Sequence, residues 1–188
     1  MAKIKVESSV ALYPMPVLIV GTHVEGKPNF MTVGWATRMN PKPPILGIAV
    51  VKTHQTAQGI IENEAFSINI PNAELLKEAD CCGIFSGREM DKAAFFDVFY
   101  GSELQAAPMI AQCPICHACK LVDTIELDPV HFFLGEIVET YTEKKYLTFG
   151  KPDLTKTNPF VLTLPDGNYR SVGDVIGKAW EIGAKHKP

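Results

Sequence analysis

The feature that most constrains this chain is how its apolar residues are grouped. They come in short runs rich in Val, Ile, Phe and Thr, cut apart by Gly, Pro and Asn, which is the pattern of β-strands. The runs predict strands at Val17–Val24, Phe30–Thr37, Ile45–Val51, Ala65–Ile70, Lys120–Leu127, Phe132–Tyr141 and Phe160–Leu164. EGKPN, between the first two, supplies the Gly and Pro of a hairpin loop. Helical spacing is confined to short stretches. THQTAQGIIENE places Ala57, Ile60 and Ile61 on one face with Thr53 as N-cap, and Asn72 caps a second helix ending near Gly83. GREMDKAAFFDVFYG holds a third turn, and VGDVIGKAWEIG a fourth helix weakened by Gly173, Gly177 and Gly183. Strands follow one another without strict strand-helix alternation, so a doubly wound parallel sheet is disfavoured. A mostly antiparallel closed sheet is expected, with a sandwich or another small barrel as the alternatives.

At 188 residues the chain suits one domain over 1–188, a core over about 10–165 and a tail over 166–188. Lys plus Arg is 18 and Asp plus Glu is 21, with no block of like charge, which argues against nucleic acid or an anionic membrane as partner. Prolines 14, 16, 108 and 114 break the longest uncharged stretches, so no membrane span is expected. No secretory signal is visible, and five cysteines are odd in number and sparse; a reduced cytoplasmic chain is the expectation.

Two segments carry candidate chemistry. NFMTVGWAT sets Trp35 among Asn29, Thr32, Gly34 and Ala36; the small residues let a flat ligand approach the backbone, although one buried Trp on a structural strand gives the same string. Lys52, Thr53, His54 and Thr56 lie where a strand passes into a helix, and a helix N-terminus with free N–H groups and hydroxyls seats a phosphate; ordinary capping is the alternative. Lys92 in GREMDK and His131 at the head of HFFLGEI could close such a site. Cys113, Cys116 and Cys119 of CPICHAC, with His117, open three readings: metal ligands, a reactive thiol, or buried structural residues. No dinucleotide fingerprint, phosphate-binding loop, HExxH or GxSxG is present.

In their order, YPMPVLIVGT, GKPNFMTVGWAT, PPILGIAV, HQTAQGIIENEAFSINIP, SGREMDKAAFF, APMI, CKL and HFFLGEIVE resemble the flavin reductase-like family, especially its flavoredoxin branch, over about residues 10–140. That resemblance implies a mainly β fold, an FMN-binding split β-barrel, mostly antiparallel, with a few short helices. It implies a homodimer with FMN near the subunit boundary, reduced by NAD(P)H or by a protein donor. Carried onto this sequence, Asn29, Thr32, Val33 and Trp35 would line the ring and ribityl chain, Thr53, His54 and Thr56 would hold the phosphate, Lys92 would add positive charge, and His131 would sit by the ring or the nicotinamide. Where many relatives have Gly-Asp-His, this chain reads DPVHFFLGEI, with His131 four residues before Gly135. The other readings are an oxidase resembling pyridoxamine phosphate oxidase, a non-catalytic ligand-binding barrel and a Cys-ligated metal protein.

Overall fold

The computed structural model describes residues 2–184 and 186. Its main element is a seven-stranded sheet built from β1 (Leu18–Val24), β2 (Lys27–Val33), β3 (Ala36–Pro41), β4 (Pro44–Val51), β5 (Ala65–Ile70), β6 (Ile115–Leu127) and β7 (Val130–Thr142). The spatial order is β2-β1-β5-β6-β7-β4-β3, with every pairing antiparallel. β2 and β3 are the two outer strands, yet only Gly34 and Trp35 separate them in the chain. The sheet must therefore curl until its edges meet, which makes it a split barrel. The corner is pinned by Ala49 N–H donating to the Trp35 carbonyl at 2.9 Å.

The expected strands are all present, Ala65–Ile70 with the same bounds and the others with one or both ends shifted. The run predicted over Phe30–Thr37 is two strands, because the chain changes edge at Gly34 and Trp35. β2 starts earlier, at Lys27, after a tight turn in which Glu25 and Gly26 both take positive φ (52° and 74°), so Pro28 lies on an outer strand where its missing N–H is tolerated. β6 reaches back to Ile115 and makes strand residues of Cys116 and Cys119.

α1 (Gln55–Asn63) and α2 (Leu76–Ile84) flank the barrel, each nine residues long. His54, not Thr53, occupies the N-cap of α1, and no side chain caps it. Asn72 occupies the N-cap of a 3-10 turn, Ala73–Leu75, that leads into α2, but its side chain makes no capping hydrogen bond. Lys92–Phe95 is a short 3-10 turn. The helix expected near the C-terminus is absent: residues 172–178 have no regular secondary structure and 179–184 form turns. Three glycines in twelve residues weaken the helix, and no surface of the barrel lies against it to compensate.

Two apolar clusters hold the molecule together. Inside the barrel Val20, Ile48, Phe66, Ile68 and Phe133 are buried, and Phe66 lies over Gly135, where a Cβ would come within 2.4 Å of its ring. Between the barrel and α2, Ile19, Phe30, Met109 and Ile110 form the second cluster. Strands Phe160–Thr163 and Asn168–Ser171 join Met15–Pro16 in a small separate sheet.

A carboxylate fastens the 101–104 loop to β7. Glu139 accepts from Tyr141 Oη (2.7 Å), Ser102 Oγ (2.8 Å), and the Ser102 and Leu104 amides (2.9 and 3.2 Å). The Tyr141 hydroxyl, followed by the Ser102 donors, draws its pKa down to about 2. A depressed carboxylate stabilises the fold fully above its ordinary value and loses that contribution as pH falls toward the folded value. Glu139→Gln should therefore flatten the rise in stability between about pH 2 and 4.5, and cost on the order of 1 kcal/mol at neutral pH after solvent screening. Urea midpoints measured against pH read this directly; a variant that keeps the wild-type acid limb would contradict it.

Candidate functional site

The first turn of α1 opens on a cavity of about 160 Å³ lined by Asn29, Thr53, His54, Gln55, Thr56, Ser86, Arg88 and Lys92, among others. The first N–H groups of an α-helix lack the usual i–4 acceptors; here the N-cap side chain covers none of them, and Ala57 N–H turns to the His54 carbonyl (3.0 Å), which leaves those of Gln55 and Thr56. Thr56 is buried, and its hydroxyl accepts from the Asn29 amide at 2.9 Å, which leaves its own proton free to donate. Gly87 lets the chain pass close to Asn29: a Cβ there would approach Asn29 Oδ1 to 2.3 Å and would displace that side chain. Lys92 is 4 % exposed; its ammonium donates to the carbonyls of Phe85 (3.0 Å) and Cys82 (3.4 Å) at the end of α2. Burial pulls its pKa below the ordinary lysine value. An anion beside it would act in the opposite sense.

A second cleft, about 200 Å³, continues from the first through Met31, His54 and Gly83, and runs along Thr32, Val33, Gly34 and Trp35 to Val50 and Val51. Its walls are apolar side chains and backbone. Gly83 lies on the passage opposite Thr32, where a Cβ would make only an ordinary contact at 3.5 Å. The Thr32 hydroxyl donates to the Ala79 carbonyl of α2, so this residue offers the cleft its backbone and methyl rather than its O–H. Trp35 is half exposed at the far end.

Of the residues singled out from sequence, Asn29, Thr53, His54, Thr56 and Lys92 come together on the first cavity, and Thr32, Val33 and Trp35 on the second, with His54 common to both. His131 is on neither wall. It pairs in register with Val50, which does line the cleft, but its ring lies 5.5 Å from that of Phe133 and its Nδ1 is buried without a hydrogen-bond partner. Lys92 serves the polar cavity and does not reach the cleft lining. Met31, Gln55, Gly83, Ser86 and Arg88 were missed by sequence reasoning. Arg88 shares the SGREMDK run with Lys92, and the helix-terminus argument that selected Thr53 and Thr56 applies equally to Gln55.

The cysteines are five free thiols. Cys82, Cys113, Cys116 and Cys119 are buried, and burial raises all four pKa values, those of Cys82 and Cys116 to about 12. Cys116 Sγ donates to the Ile110 carbonyl at 3.2 Å. Such thiols are poor nucleophiles and pack as small apolar residues. Among the described residues no group of three or more His, Cys, Asp or Glu is arranged to hold a metal ion. No helix among them is long and apolar enough to cross a membrane.

Residues 10–173 match the family model of the flavin reductase like domain, which extends the resemblance past Tyr141. The fold superposes on a flavoredoxin from Methanosarcina acetivorans with TM-score 0.94 and 46 % identity, covering 97 % of this chain and 98 % of that one. Flavoredoxin from Desulfovibrio vulgaris (Miyazaki F) gives TM-score 0.89 and 30 % identity over 97 % and 100 % of the two chains. Coverage this complete takes in most of both chain ends as well as the barrel. An uncharacterised protein of Archaeoglobus fulgidus is 31 % identical over 144 residues, 76 % of this chain and 80 % of its own. With the domain match spanning most of the sequence and the fold shared with two flavoredoxins over nearly the whole chain, the chain belongs to the flavin reductase-like family, in its flavoredoxin branch.

Proposed function

We propose that this flavin-binding oxidoreductase holds FMN in the continuous groove, phosphate at the N-terminus of α1 and ring against Met31–Trp35, and passes electrons from NAD(P)H or a redox protein to an acceptor. The observation that carries this reading is the junction of two unlike halves. An uncapped helix start with a buried hydroxyl and two cations, Arg88 and Lys92, opens directly into a largely apolar slot that includes Gly34 and Gly83. The first half suits a dianionic phosphate and the second a flat tricyclic ring, as the donor set and the backbone walls require.

The flavin, when bound, supplies the redox chemistry itself, so the absence of a nucleophile or triad is no objection. The chain binds, orients and excludes water. Asn29 fixes the Thr56 hydroxyl so that its proton points to an anion, the α1 amides complete the seat, and Lys92 offsets charge from a position already fixed by two carbonyls. A second copy of the chain facing Trp35 would cover the open end of the cleft, which is why we read the active form as a homodimer.

Anaerobic mixing of the purified yellow protein with NADH, NADPH or reduced ferredoxin tests the assignment. Bleaching of the flavin band by one of them names the donor. A protein that takes up FMN yet is reduced by none would remove the electron-transfer reading, and one that takes up no flavin would remove the site.

A further inference from the structure

Residues 2–14 and 172–184 belong to neither the barrel nor its helices, and both carry apolar side chains in solvent. In the end arm Ile176 is 96 % and Trp180 97 % exposed, with Val175 and Ile182 beside them also in solvent, so the exposure is clustered rather than single. This arm has its own local structure. The amides of Glu181 and Ile182 donate to the Lys178 carbonyl at 3.2 and 3.0 Å, and Lys178 pairs with Glu181. The turn places Trp180 at φ +62°, a conformation that costs a bulky residue on the order of 1–2 kcal/mol. Among the described residues the indole is left almost wholly in solvent, with little packing to offset that cost.

The barrel carries a matching surface. Two apolar troughs of about 540 and 520 Å³ share Pro16, Ala36 and Thr37 and so form one face, running from Trp35 and Phe132 to Leu46, with Val10, Leu12 and Pro14 of the first arm along one rim. Arg38, the only lysine or arginine lining it, pairs with no acid among the described residues, and Asp174 of the arm pairs with no base. Arm and face are thus complementary in polarity and in charge, and both stand unpartnered on the same chain. A two-fold pair satisfies both twice over, because an isologous interface repeats every contact.

We propose that residues 172–184 are a clasp: in a pair of chains each arm lays Ile176 and Trp180 on the apolar face of the other copy, with Asp174 against Arg38. The inference rests on the homodimer reading above and adds the element that closes it. Because Trp35 borders both the face and the flavin cleft, the clasp also shields the mouth of the cleft.

Sedimentation velocity over a dilution series tests this on the full chain, a chain ending at Ser171, Trp180→Ser, Asp174→Arg, Arg38→Asp and the Asp174→Arg/Arg38→Asp double variant. The expected result is a dimer whose dissociation constant rises on the order of tenfold or more in the shortened chain and in Trp180→Ser, as for an anchor residue at an interface. Each single charge reversal weakens the dimer, and the double reversal recovers it. A shortened chain that dimerises as tightly as the full one overturns the clasp and leaves the dimer standing. A full chain that is monomeric overturns both.

Discussion

Lys92→Met should weaken FMN binding about one hundred-fold, the loss set by one charge-assisted hydrogen-bonding partner in a buried site. Lys92 is the buried cation on the cavity, and its ammonium is already oriented by the carbonyls of Cys82 and Phe85. Methionine keeps the length and apolar stem of lysine, so the stem still packs while the charge is gone. The substitution also leaves two carbonyls short of a donor, and some loss of stability will accompany the loss of affinity. Arg88→Ala separates the two effects. Arg88 is exposed on the same cavity, and its guanidinium makes no hydrogen bond or ion pair among the described residues, so its removal should cost about tenfold in FMN affinity with the melting point unchanged. Fluorescence titration of flavin-free protein measures both. Wild-type affinity in Lys92→Met would show that the anion is seated elsewhere.

Phe66→Ala should destabilise the fold by about 3–5 kcal/mol, the usual cost of removing a fully buried aromatic ring. Phe66 is 0 % exposed at the centre of the barrel cluster, and the chain has already given up a side chain at Gly135 to admit it. The strands around it are fixed by antiparallel pairing on both sides, so the barrel has little freedom to collapse into the space. Gly135→Ala approaches the same contact from the other side and should also be destabilising, because its methyl would meet the ring at 2.4 Å. Urea unfolding with an unchanged slope would read these losses. A loss under 1 kcal/mol for Phe66→Ala would contradict the packing described.

What could be read from the sequence follows from which forces are local. Ala65–Ile70 was bounded correctly because its ends are marked by neighbouring residues, Glu64 with positive φ before it and Pro71 after it. The Gly34-Trp35 corner was invisible, because it reflects closure of the sheet between strands far apart in order. The turn at Glu25 and Gly26 was placed only approximately, as Pro28 reads like a loop residue until its strand is known to be an outer one. In the site, the helix start was legible from hydroxyls next to a strand end, whereas Arg88 and Gly83 reach it only through the path of the chain after α2. His131 shows the limit in another way. Its strand was identified correctly, yet whether a strand residue meets a cleft depends on its register with Val50 and on which wall the cleft follows.

The central claim is that an anionic tail is held at the start of α1 while the ring lies along the next apolar slot. Calorimetric titration of flavin-free protein with FMN and with riboflavin, side by side, isolates that tail. The account predicts that FMN binds on the order of one thousand-fold more tightly, and that the gap narrows to about tenfold in Lys92→Met. Equal affinity for the two flavins in the wild-type protein would contradict it.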